Sequence, residues 1–105
     1  MPGVDDPAAL LRTAADRLEA LAARTTSGDW RAAGLLATRP EVVAHAADGG
    51  TEHVAEARAG TGAWIAALSP ALAAPLAGWL RAAAAGGPVD PAAEAFARAL
   101  LTRLL

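Results

Sequence analysis

His45 and His53 are the residues of this 105-residue chain best suited to chemistry. They flank Asp48-Gly49-Gly50-Thr51, and Glu41, Glu52 and Glu56 lie close by in sequence. Two imidazoles and one carboxylate form a ligand set for a divalent metal. That set assembles only if the chain turns back near Gly49 with both rings on one face. Side chains alternate along a strand, so a one-residue slip of the turn separates the rings. Two solvated histidines on a polar β ribbon are the simpler reading and the one the sequence favours. No metal and no cofactor is expected.

Other reaction chemistry has less support. Asp5-Asp6, Asp16 with Glu19, and Glu52 with Glu56 are paired carboxylates. Hydrolysis needs one such acid in a cleft, with a raised pKa; these read instead as helix caps, surface charges and ribbon charges. There is no Ser/His/Asp set with a nucleophile elbow. Gly60-Thr61-Gly62 lacks the remaining spacing and the lysine of a phosphate loop. The chain has no cysteine, which removes disulfides and thiolate nucleophiles and makes a structural zinc site a poor fit. The expectation is a protein without catalytic residues.

The elements that hold these residues are mostly helical. Hydrophobic residues make up 54% of the chain but aromatic ones only 4%, because alanine dominates. Alanine loses no side-chain entropy in a helix, so the composition argues closely packed helices in one domain. Asp6 caps and Pro7 opens a first helix over about 7–24. Its apolar face is Leu10, Leu11, Ala14, Leu18, Leu21 and Ala22, with Arg12 and Asp16 in solvent. Residues 29–40 read equally as a helix opened by Trp30 or as a short strand over Gly34–Thr38. A β-hairpin is predicted over about 41–57, turning on Asp48-Gly49-Gly50. A lone hairpin is marginal, so it needs a helix or a third strand beside it.

Helices follow over about 62–69, 70–85 and 91–105. Thr61 and Ser69 are the expected caps of the first two, and Asp90-Pro91 repeats the opening of the first helix. No charge lies between Arg58 and Arg81, and the run Ala59–Leu80 is long enough to suggest a membrane span. Pro70 and Pro75 interrupt it, and neither flank has a basic cluster. Two buried helices of a soluble domain fit better, with Trp64, Ile65, Leu76, Trp79 and Leu80 in the core. The fold class expected is α+β: a helix, a small antiparallel sheet, then three helical segments.

All nine basic residues are arginine, which reads as the codon bias of a GC-rich genome such as an actinobacterium or its phages. The net charge of −2 is interspersed, without the basic stripe that phosphate binding needs. The N-terminus has acids where a signal peptide would be basic, so a cytoplasmic location is expected. Two features point to protein contacts. Trp30 follows a flexible TTSGD turn and is the tryptophan expected to be partly exposed. Phe96, Leu100, Leu101 and Leu104 make the last helix very apolar. They either pack on the first helix or form an intermolecular seam, and a homodimer contact is the slightly favoured alternative.

Several segments together resemble a known family. They are the leucine-rich helix Leu10–Leu21, Gly28-Asp29-Trp30-Arg31, Val54-Ala55-Glu56-Ala57, Trp64-Ile65-Ala66-Ala67 and Ser69-Pro70. Covering about half the chain, they resemble the Ead-like early proteins of lambdoid phages and similar small actinobacterial proteins. The hairpin and the last helix depart from that pattern. The resemblance implies an accessory role in phage or mobile-element biology, acting through contacts with a second copy or with a host or phage protein. It implies no catalytic residue. Two other classes compete with it. A DNA-associated regulator would need Arg12, Arg17, Arg24 and Arg31 on one surface. A metal-binding protein or enzyme would need His45, His53 and a glutamate to converge.

Overall fold

The computed structural model describes residues 6–34 and 40–104. The fold is α+β. Its elements are α1 (Pro7–Ala22), β1 (Asp29–Ala33), β2 (Glu41–His45), β3 (Thr51–Glu56), α2 (Ala59–Ala67), α3 (Ala73–Ala85) and α4 (Pro91–Arg103), with a 3-10 turn at Pro70–Leu72. They form two compact units. Helices α1, α3 and α4 make one; Ala23–Leu72, with the sheet and α2, is inserted in sequence between α1 and α3 and makes the other.

The three-helix unit is built on alanine. Asp6 opens α1 as its sequence indicates: its Oδ1 accepts the N–H of Ala8 at 3.0 Å. Asp90 stands at the N-cap of α4 before Pro91, but its side chain makes no capping bond. The core consists of Leu11, Ala14 and Ala15 of α1, Ala77, Leu80 and Ala84 of α3, and Ala93 and Ala97 of α4. Spacings of three and four hold each set on one face. Small residues there let the helices approach closely. Leu11 and Leu80, wholly buried, supply the bulk, each worth about 1.5–3 kcal/mol of burial. Pro75 is tolerated because it falls in the first turn of α3, where its missing N–H has no intrahelical partner. Gly87, at φ +93°, lies just beyond the helix end.

The sheet unit is an antiparallel meander in the order β1-β2-β3. The ambiguous stretch after Trp30 is strand: Trp30 pairs with Ala44, and Ala32 with Val42. This third strand precedes the expected Gly34–Thr38, and residues 35–39 lie outside the described residues. The hairpin is as expected, with His45 opposite Thr51 and Val43 opposite His53. Asp48 Oδ1 accepts the N–H of Gly50 at 2.8 Å, and Gly49 takes φ +89°. A bulge lies between Val42 and Val43, which pair with Ala55 and His53 and leave Val54 as the extra residue. Val42 and Ala44 are the buried side of β2.

Two sequence expectations fail in the apolar run. Thr61 does not cap its helix: α2 already starts at Ala59, with Arg58 at the N-cap. The tryptophans are not core. Trp64 is 68% exposed and Trp79 43% exposed. Helical phase explains both. In α2 the sheet side is set by Gly62, beside Val42, with Ile65 and Ala66 half-buried. Trp64 is two residues from Gly62, about 200° around the helix. In α3 the buried stripe is Ala73, Ala77, Leu80 and Ala84. Trp79 is one residue before Leu80, about 100° around the helix, so it falls on the flank. Following the large residues misplaces the stripe, because the buried positions belong to small ones.

Candidate functional site

The outer face of the sheet carries the histidines. Cross-strand partners point to the same side. The pairs His45–Thr51 and Val43–His53 therefore put both rings on one face, with Glu41 beyond them. His53 Nδ1 lies 2.7 Å from Glu41 Oε2. His45 is paired across to Asp29 of β1. Among the described residues no three His, Asp or Glu side chains converge as metal ligands. The constellation is an exposed imidazole–carboxylate pair on a solvated ribbon. A hollow of about 310 Å³ lies at the end of the sheet, lined by Pro40, Glu56, Ala57 and Arg58.

Three of the described arginines are engaged with acids. Arg31 Nε donates to Asp29 Oδ2 at 2.6 Å, and Arg98 holds Glu94 one turn away. Arg81 of α3 donates from one nitrogen to Asp16 at 2.8 Å and to Glu19 at 2.6 Å, both on α1. Its hydrogen bond holds the Glu19 carboxyl below its ordinary value, and the two acids raise the Arg81 guanidinium further. Asp16, expected to face Arg12 in solvent, is thus a partner of α3. Of the four arginines a DNA-associated regulator would use, Arg31 is neutralised in this way, and Arg12, Arg17 and Arg24 are exposed.

The candidate contact residues separate by location. Trp30 is half-buried, and its Nε1–H donates to the Thr26 carbonyl at 2.9 Å, which pins the ring over the turn before β1. Phe96 is half-buried and tilted against Trp79, with ring centroids 5.5 Å apart. Leu100 and Leu101 pack on the three-helix core with Phe96. Leu104 caps the C-terminus of α4, its N–H reaching the carbonyls of Leu100 and Leu101. Leu105 lies outside the described residues. Phe96, Leu100 and Leu101 are each half-buried against that core and keep part of their surface outside.

The largest exposed apolar side chains of the sheet unit are instead Trp64 and Leu68. Gly60, Ala63, Trp64 and Ala67 recur at spacings of three, one and three and are all exposed. They form one face of α2, opposite the Gly62 side. A helix that is apolar all round belongs in an interior. Here only one side is covered. The signal was present in the sequence as the charge-free run, but a core assignment hid it. Compared with family models, curated proteins and solved structures, the chain matches none.

Proposed function

We propose that this chain is a non-enzymatic interaction module, an accessory protein of phage or mobile-element type that works through helix-mediated contacts. The observation that carries the reading is Trp64, 68% exposed on a helix with no charged residue. Tryptophan is the residue type most enriched at the energetic centres of protein interfaces. Scattered exposed hydrophobics are ordinary, but an uncharged face with a tryptophan at its middle marks a contact surface. The similarity to Ead-like early proteins supports the accessory role, and the arginine-only composition supports an actinobacterial or phage setting.

The test is photo-crosslinking in the expressing cell. A benzophenone amino acid replaces Trp64 in one sample and exposed Arg17 in another. The reading expects a discrete protein adduct from position 64 and none from position 17. No adduct at 64 above that at 17 contradicts it.

A further inference from the structure

The sheet has two edges, and they differ. β3 is broken by the bulge at Val54 and carries Glu52 and Glu56. Bulges and charges are the ordinary means by which an edge strand turns another strand away. β1 pairs with β2 without a register shift and contains neither proline nor lysine. Its one acid, Asp29, is matched by Arg31 of the same strand at 2.6 Å. The β1 edge is therefore the less guarded of the two.

The hydrogen bonds of β2 fix which backbone groups of β1 face outward. The Ala46 N–H donates to the Gly50 carbonyl, and the Pro40 carbonyl accepts from the Ala57 N–H. Even-numbered positions along β2 thus turn toward β3, and odd-numbered ones toward β1. There His45, Val43 and Glu41 meet Asp29, Arg31 and Ala33. The N–H and C=O of Trp30 and Ala32 consequently point away from the sheet. Among the described residues no turn, loop or helix supplies them a backbone hydrogen bond.

The side chains select the strand that fits. Consider two β1 strands, antiparallel, with a two-fold axis at Trp30. The two Trp30 residues then exchange their outward N–H and C=O groups as hydrogen bonds. Asp29 stands opposite Arg31 of the copy, and Arg31 opposite the copy's Asp29. These are non-hydrogen-bonded pairs, with Cα atoms about 4.5 Å apart and side chains at their closest. Both side chains are on the outer face, as their partners His45 and Val43 are. Four charges therefore alternate in sign around the axis. Moving the axis to Arg31 sets guanidinium against guanidinium, which is unfavourable. Asp29-Trp30-Arg31 is self-complementary in one register, as an isologous contact requires. The Trp30 ring is half-buried and already held by its bond to the Thr26 carbonyl, so ordering it costs little entropy. Pairing β1 with β3 of a copy fits less well: the bulge breaks that register, and a head-to-tail contact does not close on itself.

We infer that a second copy of the chain pairs along β1, antiparallel about Trp30, and joins two three-stranded sheets into one. The contact lies on a sheet edge and does not depend on the outer face of α2. A five-residue strand buries less than a standard interface, so the dimer is reversible and concentration-dependent.

Sedimentation equilibrium from about 10 µM to about 1 mM tests it, with wild type, Asp29→Arg, Arg31→Asp and an equal mixture of the two variants. Both side chains are exposed, so the substitutions leave the fold intact. Wild type is expected to show a monomer–dimer equilibrium. Each variant alone sets like charges opposite one another and weakens it by about tenfold. The mixture restores it, because arginine at 29 and 31 of one chain then faces aspartate at 31 and 29 of the other. Amide exchange on wild type gives a second readout that needs no variant. The Trp30 N–H slows with rising concentration, whereas the Arg31 N–H, bonded to β2 already, does not change. A wild type that stays monomeric overturns the inference. So does a dimer that forms equally well from either variant alone, a mixture that fails to restore it, or a dimer that leaves the Trp30 N–H unprotected. Open-ended polymers overturn it in favour of β1–β3 pairing.

Discussion

In the three-helix unit each helix gives its buried stripe to the other two, whereas in the sheet unit α2 covers the sheet with one side and leaves an apolar face outside. The difference is one of completeness. Leu11 and Leu80 fill the centre of the first unit among close-set alanines, and Arg81 ties α1 to α3 at the rim. Among the described residues of the second unit, Val42 is the one large side chain that is fully buried. Its helix meets the sheet through a glycine. The three-helix unit leaves Leu21 and Trp79 exposed at its rim, while α2 leaves a whole apolar face with Trp64 at its middle.

The comparison breaks first at Leu80. Leu80→Ala empties the centre of the three-helix unit and is expected to cost about 2–5 kcal/mol. Urea unfolding followed by residue-resolved amide exchange should show that loss in α1, α3 and α4. An unchanged profile there would mean Leu80 is not the centre. Next is Gly28, at φ +112°, where a Cβ would stand 2.9 Å from the His45 carbonyl oxygen. Gly28→Ala should destabilise the sheet unit by about 1–3 kcal/mol. Protection of the β1–β2 amides measures it, and full protection would refute the close approach.

Gly62→Ala sharpens the contrast with a smaller effect of the opposite sign. Its Cβ would sit 3.8 Å from Val42 Cγ2, an ordinary contact. Alanine also favours helix over glycine, so the sheet unit should gain up to about 1 kcal/mol. A loss of stability would show that α2 sits closer to the sheet. The smallest effect belongs to Arg81, whose ion pairs are exposed. Glu19 has its folded pKa lowered, so its contribution is present above the ordinary value of 4.5 and lost as pH falls through the folded value. Glu19→Gln should flatten that acid-side slope and lower neutral-pH stability by the same small amount, so that the two chains converge at low pH. An identical slope in the variant would show that Arg81 does not hold Glu19.

Much of the fold was legible because local rules are strong at its boundaries. Asp6-Pro7, Pro91 and Asp48-Gly49-Gly50 each mark an element start or turn through backbone geometry alone. The strand β1 was not legible, since DWRAA has no alternation of its own and pairs only because β2 lies beside it. The stripe of α3 and the outer face of α2 were misread for a common reason. Size suggests burial, yet Ala77 and Gly62 occupy the close contacts, and Trp79 and Trp64 are displaced by one or two residues of helical phase. The histidine pair was legible as a possibility, and only the register settled its face.

The account turns on the outer face of α2, and the absence of cysteine makes that face easy to label. Ala63→Cys on that face and Ala77→Cys in the three-helix core are each treated with a maleimide under native conditions. The account predicts rapid labelling at position 63 and protection at position 77, because Ala63 is exposed and Ala77 is wholly buried. Equal protection at both positions would contradict it.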